Sequence, residues 1–185
     1  VPLDEVTSLL RSQAKAVNFG IVYGISDYGL SQNLNIPRKE AGTYIDNYLE
    51  HYSGIKNYMD EEIKNGKEIG YVKTILNRRR YIPELNAKNF NIRSFGERVA
   101  LNTPIQGSAA DIIKIAMVKV YKSLKENNLK SKLILQIHDE LIVDAYKNEV
   151  EEVEKLMKNI MENAVKMDIP LKIDMQVGSS LYETK

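Results

Sequence analysis

Two cations and two aromatic side chains recur at four-residue intervals near the start of the chain: Arg11, Lys15, Phe19 and Tyr23. On an α-helix, which turns by about 100° per residue, these positions share one face and drift by only about 40° at each step. The same helix places an apolar stripe on another face, which we expect to face a core: Leu10, Ala14, Val17 and Ile21. At about 1.5 Å per residue the row is roughly 18 Å long, which is about the reach needed to bind a nucleoside triphosphate from its tail to its base.

Spacing alone also permits a simpler interpretation of this row. Cations four residues apart commonly lie on a solvated helix face, and aromatic residues at helical spacing commonly belong to a core. Like charges at that spacing repel, however, so Arg11 and Lys15 are better explained when they share a polyanion. Gly24 is predicted to stop the helix in a left-handed conformation, with Asp4 or Thr7 as its N-terminal cap.

A second group with potential chemistry is the acidic triplet His138, Asp139 and Glu140. It lies between two apolar runs, residues 133–137 and 141–143, which we interpret as strands joined by a tight turn. An unpaired carboxylate in a core is costly, so the triplet is expected to be exposed. A plain polar turn remains an alternative, although the Asn-Gly or Asp-Gly pair typical of tight hairpins is absent.

Two further sets could contact nucleic acid. The first is Arg98, Asn102 and Gln106, which four-residue steps would align on one helix face. The amide side chains of Asn102 and Gln106 both donate and accept hydrogen bonds, which suits base edges in the minor groove. The densest basic run consists of Arg78, Arg79 and Arg80. A solvated helix face explains the first set equally well on spacing alone, and a solvated turn explains the second.

The elements that must position these residues are predicted to be helical in the first half of the chain. After a turn at residues 25–29, we expect a short helix over residues 30–34 and another that Pro37 opens. Ser53-Gly54 is expected to separate that helix from the next one, which a turn at Asn65-Gly66 ends. A small hairpin is predicted from residues 71–76 and 81–83, followed by a loop at residues 88–93.

The second half is predicted to mix helices and strands. A long helical region over residues 95–124 should be interrupted near Pro104, which removes a backbone donor. A helix over residues 148–165 follows the acidic hairpin, and residues 171–177 alternate as a last, half-buried strand. The predicted fold class is therefore α+β, with helices first and a small antiparallel sheet in the second half.

Composition excludes several classes of protein. The 185 residues are 43% hydrophobic and 28% charged, as expected for an ordinary soluble protein, and contain no cysteine for a disulfide framework or thiolate metal site. The net charge of +1 gives no global field for nucleic acid, so any DNA contact must use local positive charge. We identify neither a membrane span nor a signal peptide, and predict no membrane partner.

Three ordered motifs resemble those of the family A DNA polymerases, the bacterial DNA polymerase I-like group. They are Arg11-x3-Lys15-x3-Phe19-Gly20-x2-Tyr23-Gly24; Asn102-Thr103-Pro104-Ile105-Gln106-Gly107 with Ala109-Ala110-Asp111; and Gln136-Ile137-His138-Asp139-Glu140-Leu141. The likeness extends from Leu10 to the end of the chain. The resemblance implies a helical fingers subdomain over residues 1–94, including a basic hairpin at about 71–83, and the C-terminal part of a palm subdomain over residues 95–185.

The resemblance also implies site residues. Asp139 and Lys15 would be catalytic, and Asp139 with Glu140 would bind Mg²⁺, two ions acting in the complete enzyme. Nucleotide-binding residues would be Arg11, Lys15, Phe19, Tyr23 and His138. DNA-binding residues would be Arg98, Asn102, Gln106, Arg78, Arg79 and Tyr23, whereas Asp111 would be structural.

The implied reaction is template-directed addition of deoxynucleotides to a primer 3′-end with release of pyrophosphate, in the bacterial cytoplasm at the nucleoid. The implied partners are primer–template DNA, deoxynucleoside triphosphates, and an upstream palm and thumb. The family's first metal-binding carboxylate lies upstream of the Arg11 motif and is absent from these residues, so we expect the chain alone to be inactive. The alternative is a non-catalytic DNA-binding module that retains the fold.

Overall fold

The computed structural model describes residues 2–184, without the side chain of Leu3. Its helices are α1 (Ser8–Val22), α2 (Asp27–Leu34), α3 (Arg38–His51), α4 (Ser53–Ile69), α5 (Phe90–Glu126) and α6 (Val150–Glu162). Its strands are β1 (Tyr71–Lys73), β2 (Arg79–Tyr81), β3 (Lys132–Ile137) and β4 (Glu140–Asp144), and short 3-10 helices cover Leu3–Glu5 and Pro83–Asn86. The strands form two antiparallel hairpins, β1–β2 and β3–β4, which confirms the α+β class.

Contacts divide the chain into two compact units, Val1–Gly107 and Ser108–Lys185. The first unit contains α1 to α4, the first hairpin and the start of α5. The second contains the rest of α5, the second hairpin and α6. The fingers–palm boundary at residues 94–95 stays a prediction.

The ends of α1 follow from its cap residues. The Thr7 hydroxyl accepts a hydrogen bond from the backbone N–H of Leu10 at 3.2 Å, and thereby satisfies one of the free donors of the first turn. At the other end Gly24 has a φ of +75°, as predicted. The Gly24 N–H donates to the Ile21 carbonyl and the Ile25 N–H to the Gly20 carbonyl, both at 2.9 Å, which is a Schellman arrangement.

Helices α2 to α4 differ from prediction at their ends. The predicted turn at residues 25–29 is shorter, because Ser26 caps α2 through a hydrogen bond from the Gly29 N–H to its hydroxyl. Pro37 immediately precedes α3, and Tyr52 separates α3 from α4. The predicted turn at Asn65-Gly66 is wrong: α4 continues to Ile69 and ends at Gly70, whose φ is +80°.

Packing explains why α4 continues. Gly66 is buried, and a Cβ there would lie 2.9 Å from Leu85 Cδ1, so close approach to the core requires a glycine inside the helix. That core contains Val72, Ile82, Leu85 and Ala100. The first hairpin therefore packs on α4 and α5 through apolar side chains of its inner face.

The long helix α5 begins earlier and is less interrupted than predicted. Residues 88–93 are not all loop, because the Asn89 side chain accepts from the N–H groups of Asn91 and Ile92 and α5 begins at Phe90. Pro104 lies inside the helix without ending it. Buried neighbours hold the turn that precedes Pro104: Leu101 is 2% exposed, and the Thr103 hydroxyl donates to the Val99 carbonyl at 2.7 Å.

The second unit is built around the β3–β4 hairpin and α6. Its core consists of Val120, Leu124, Val153 and Met157, with strand residues such as Leu133 and Val143 packed against it. Lys119 Nζ donates to the Ala164 carbonyl at 2.9 Å, just beyond the C-terminus of α6, where a cation complements the helix dipole.

The predicted strand over residues 171–177 is wrong. Leu171, Ile173 and Met175 are half-buried and alternate with exposed residues, as the pattern indicated, but the segment has no regular secondary structure. Burial of alternate side chains does not make a strand without a backbone ladder, and no described strand pairs with it. None of the helices between residues 2 and 184 is long and apolar enough to cross a membrane.

Candidate nucleotide and DNA site

The cation–aromatic row is assembled on α1 as the spacing predicts. Lys15 Nζ lies 5.9 Å from the centre of the Phe19 ring, and the Phe19 and Tyr23 rings are 6.2 Å apart with planes inclined by 29°. Arg11 and Lys15 are exposed, and Phe19 keeps 47% of its surface exposed. The row is therefore a continuous surface with cations at one end and stacked rings at the other.

The apolar stripe on the other face of α1 is only partly buried. Ile21 is 1% exposed and Val17 is half-buried, but Leu10 is 38% exposed and Ala14 is also exposed. The prediction of a fully core-facing stripe is therefore wrong for the first half of the helix. Near its C-terminal half, Asn18 Oδ1 accepts from the Tyr48 hydroxyl at 2.6 Å and ties α1 to α3.

The turn after α1 lies directly against α5. A Cβ at Gly24 would lie 3.0 Å from Leu101 Cδ1 and 3.5 Å from Arg98 Cγ. Only glycine combines the positive φ with this close approach. The aromatic end of the α1 row is thereby brought beside the first member of the α5 row.

The α5 row presents three polar side chains in different environments. Arg98 is exposed, and its Nη1 donates to the Ser94 hydroxyl at 3.3 Å. Gln106 is exposed. Asn102 Oδ1 is shielded from solvent and has no hydrogen-bond partner among residues 2–184, which is uncommon for a native polar atom and leaves an acceptor free.

The basic run lies on the first hairpin, and its side chains extend from both faces of that hairpin. Arg80 Nη1 donates to the Thr103 hydroxyl of α5 at 3.3 Å. The Arg79 guanidinium lies 5.0 Å from the centre of the Tyr71 ring, and Arg78 is exposed. Gly107 allows the hairpin to approach α5, because a Cβ there would lie 2.6 Å from Thr74 Cγ2.

The acidic triplet forms the tip of the second hairpin. Ile137 pairs with Glu140, so His138 and Asp139 are the two central residues of the turn, and the whole triplet is exposed as predicted. His138 has a φ of +52°, a backbone conformation that residues other than glycine adopt uncommonly. Gln136 Nε2 donates to the His138 carbonyl at 2.7 Å and helps to hold this turn.

The opposite end of that hairpin is fixed by Glu149. Its carboxylate accepts from the Ser131 hydroxyl at 2.6 Å and from the N–H groups of Lys130 and Ser131 at 3.0 and 2.9 Å. Ser131 Oγ also accepts from the Tyr146 N–H at 3.0 Å, which joins the start of β3 to the residues after β4. The Ser131 hydroxyl, followed by the backbone donors, lowers the pKa of Glu149 below its ordinary 4.5.

We expect Glu149 to stabilise the base of this hairpin at neutral pH and to lose that effect in acid. Because the folded-state pKa is lowered, the stabilisation is present above about pH 4.5 and disappears as the pH falls through the folded value. Hydrogen exchange in the full-length protein should show faster exchange of the Lys130 and Ser131 amides in Glu149→Gln at pH 7. The difference from the unmodified protein should shrink as the pH falls below 4.5 and through the lowered pKa of the folded-state carboxyl. An equal difference at neutral and acid pH would contradict this role.

The tip carboxylates suit a hard divalent cation. Mg²⁺ takes oxygen ligands and is commonly bound by one or two carboxylates together with substrate phosphates. Asp139 and Glu140 supply such oxygens on an exposed turn. Within the described part of the chain, no group of three or more His, Cys, Asp or Glu side chains could enclose an ion. The pair therefore fits a site that other ligands complete.

Sequence reasoning missed two groups. Glu149 and Ser131 are far apart in the chain, and no local pattern marks their contact. Tyr71 and Tyr81 are predicted only as strand residues, although the alternation Tyr71-x-Lys73 and Arg79-x-Tyr81 places two rings and two cations on one hairpin face. That alternation could have identified them.

The fold is that of a polymerase-domain fragment. It superposes with a TM-score of 0.89 and 44% sequence identity on the POL domain of Pol1 from M. smegmatis, covering 93% of this chain and 30% of that one. That structure is a complex with DNA primer-template and dNTP. The DNA polymerase family A model matches residues 1–183, and the chain belongs to this family, which uses divalent metal ions in general.

Curated relatives agree with this assignment. The chain is 62% identical over 185 residues to DNA polymerase I of Bacillus subtilis (strain 168), and 57% identical over 182 residues to DNA polymerase I of Bacillus caldotenax. These alignments cover 100% and 98% of this chain but 21% of each relative. The chain thus spans about a fifth of the length of these relatives.

Proposed function

We propose that this chain is the fingers and the C-terminal part of the palm of a DNA polymerase that extends a primer 3′-end under direction of a template and releases pyrophosphate. The observation that carries the proposal is the row on α1, in which an exposed Lys15 adjoins the stacked rings of Phe19 and Tyr23. Cations beside aromatic faces match the phosphates, sugar and base of a nucleotide. Family membership supports the same reaction.

In this proposal Arg11 and Lys15 bind the triphosphate, since exposed cations one helical turn apart can share a polyanion. Phe19 and Tyr23 pack on the sugar and the base. Lys15 also acts in catalysis, because charge that develops on the phosphates in the transition state is best stabilised by a positioned cation. Tyr23 also contacts DNA in this proposal, because it precedes Gly24, which lies against Arg98 of the proposed DNA-binding row.

The DNA-binding role rests on α5 and the first hairpin. Arg98, Asn102 and Gln106 contact the primer–template, and the unpartnered Asn102 Oδ1 is an acceptor for a minor-groove donor such as the guanine amino group. Arg78 and Arg79 contact backbone phosphates. The contact of Gly24 with Arg98 supports a common site for nucleotide and template, because it joins the two rows within one compact unit.

Asp139 and Glu140 hold Mg²⁺ in this proposal, Asp139 directly and Glu140 as a secondary ligand. Two Mg²⁺ ions, when bound, activate the primer 3′-hydroxyl and neutralise the triphosphate. The chain's own contribution is to present the Asp139 carboxylate on a turn held by the Gln136–His138 hydrogen bond. His138 lies near the primer terminus and the nucleotide.

These 185 residues are not expected to extend a primer unaided, because Asp139 and Glu140 need further ligands to fix two ions. We propose that an upstream palm and a thumb of a longer chain complete the enzyme. The partners are primer–template DNA and deoxynucleoside triphosphates. We further propose a location in the bacterial cytoplasm, at the nucleoid, since the relatives are bacterial proteins and the proposed partner is DNA.

Primer extension by the full-length protein tests the proposal. We expect template-dependent addition of deoxynucleotides, abolished by removal of divalent cations and restored by Mg²⁺. A protein that binds primer–template with normal affinity yet adds no nucleotide under these conditions would instead be a non-catalytic DNA-binding module.

A change at Phe19 tests the orientation of the α1 row. A phenylalanine offers no hydroxyl near the sugar, so the 3′-hydroxyl of a deoxynucleotide must make its own polar contacts, and its loss costs about 1–3 kcal/mol. We therefore expect the full-length protein to disfavour dideoxynucleotides by about tenfold or more. Phe19→Tyr should remove most of this discrimination, measured by competitive incorporation. Equal discrimination by both proteins would show that Phe19 does not face the sugar.

A further inference from the structure

The first hairpin has two chemically different faces. Register pairs Tyr71 with Tyr81 and Lys73 with Arg79, and because strand side chains alternate, all four lie on one face, which we call the outer face. Val72 points the other way and is 3% exposed in the core. Arg80, which pairs with Val72, contacts Thr103 of α5.

Positive charge is concentrated on the outer face. Lys73 and Arg79 are direct cross-strand neighbours, a position in which like charges destabilise a hairpin. Both lie over the Tyr71 ring, at 5.6 and 5.0 Å from its centre. Within residues 2–184, neither cation pairs with a carboxylate. The arrangement is explained if a polyanion binds between them.

The same face also exposes an aromatic surface. The Tyr71 and Tyr81 rings meet at 5.4 Å with planes inclined by 62°, and Tyr81 keeps 67% of its surface exposed. A polyanion that also needs an aromatic surface is a nucleic acid with accessible bases. Bases of an unpaired strand offer their flat faces for stacking, whereas those of a duplex are stacked on one another.

We propose that the outer face binds an unpaired DNA strand, with a base stacked on Tyr81 and phosphates contacted by Lys73 and Arg79. This inference rests on the proposed function only for its choice of DNA as the polyanion. It assigns the phosphate contact of Arg79 to an unpaired strand, and it adds Lys73 and Tyr81, which belong neither to the nucleotide row on α1 nor to the polar row on α5. The natural occupant is template that has not yet been copied.

The test compares two DNA ligands on the full-length protein by fluorescence anisotropy: a blunt duplex, and the same duplex with an unpaired 5′ template extension of about 12 nucleotides. Tyr81→Ala should reduce the affinity gained from the extension by about fivefold or more, and Tyr81→Phe should retain it, because stacking needs the ring and not the hydroxyl. Blunt-duplex affinity should be the same in both variants. Lys73→Ala and Arg79→Ala should each flatten the salt dependence for the extended ligand by about 0.7 in log–log slope.

Tyr44→Ala is the matched control, since Tyr44 is a 43% exposed tyrosine of α3, and its hydroxyl donates a hydrogen bond to Glu40 of the same helix. It should leave both affinities unchanged. The inference is overturned if Tyr81→Ala leaves the gain within about twofold, or if it weakens blunt and extended ligands equally. Primer extension measured in parallel keeps the two hypotheses separate, because the proposed function fails only if the unsubstituted protein adds no nucleotide.

Discussion

Replacing Asp139 by alanine is expected to abolish primer extension by the full-length protein while leaving primer–template binding largely intact. The carboxylate lies at the exposed tip of the β3–β4 hairpin, so its removal should not disturb the fold. Its proposed work is to position metal, and that stabilisation is realised mainly in the transition state. The measurements are single-turnover extension and equilibrium DNA binding on the same preparations.

Asp144→Ala provides a matched control for this substitution. Asp144 is also an exposed aspartate of the same hairpin, but it lies at the far end of β4, opposite Lys132. It should extend primers at close to the normal rate. Extension by Asp139→Ala within about tenfold of the unsubstituted protein would exclude Asp139 as the metal ligand.

Removing Lys15 should damage nucleotide use, whereas removing Gln106 should damage primer–template use. A charge-assisted contact to phosphate contributes about 1.5–3 kcal/mol, which corresponds to roughly 10- to 150-fold. Lys15→Ala and Arg11→Ala should both weaken triphosphate binding, and Lys15→Ala should also slow the chemical step. Gln106→Ala should raise the dissociation constant for DNA and leave nucleotide affinity nearly unchanged.

Rapid-quench kinetics separate these effects when nucleotide and DNA are varied independently. Lys39→Ala is a suitable control, because Lys39 is an exposed lysine on α3 outside either row. If Lys15→Ala changed only DNA affinity and Gln106→Ala only nucleotide affinity, the roles of α1 and α5 would be reversed.

Local chemistry was sufficient to predict α1 and the existence of both hairpins. The predicted strand bounds of the first hairpin are wrong, because β1 ends at Lys73 and not at residue 76, and β2 is Arg79–Tyr81 and not residues 81–83. Thr7 caps the helix and Gly24 ends it through hydrogen bonds to backbone groups only a few residues away. Such local contacts can be predicted from the sequence. The same holds for the exposed triplet at His138 to Glu140, since apolar strands flank it on both sides.

Long-range packing decided the features that sequence could not give. Gly66 and Pro104 are helix breakers by propensity, yet Gly66 lies within α4 because it is itself buried against Leu85. Pro104 lies within α5 next to the buried Leu101 and Thr103. Whether Leu10 is buried depends on the elements that pack on α1, and it is 38% exposed. The alternation over residues 171–177 indicates which side chains are buried, but it does not identify a strand that could pair with the segment. The contact between Gly24 and Arg98 joins residues 74 positions apart, and only the fold reveals it.

The backbone at His138 has a consequence for how position 138 can vary. Its φ of +52° favours glycine, asparagine and aspartate, so a histidine there carries a conformational cost that a glycine would remove. Glycine would also widen the range of turn conformations in the unbound protein, and the Asp139 carboxylate would then sample more positions. The restricted turn thus lowers the free energy of unfolding but holds the Asp139 carboxylate in a narrower range of positions. Replacing His138 by glycine would therefore relieve backbone strain while holding the neighbouring carboxylate, the proposed metal ligand, less closely in place.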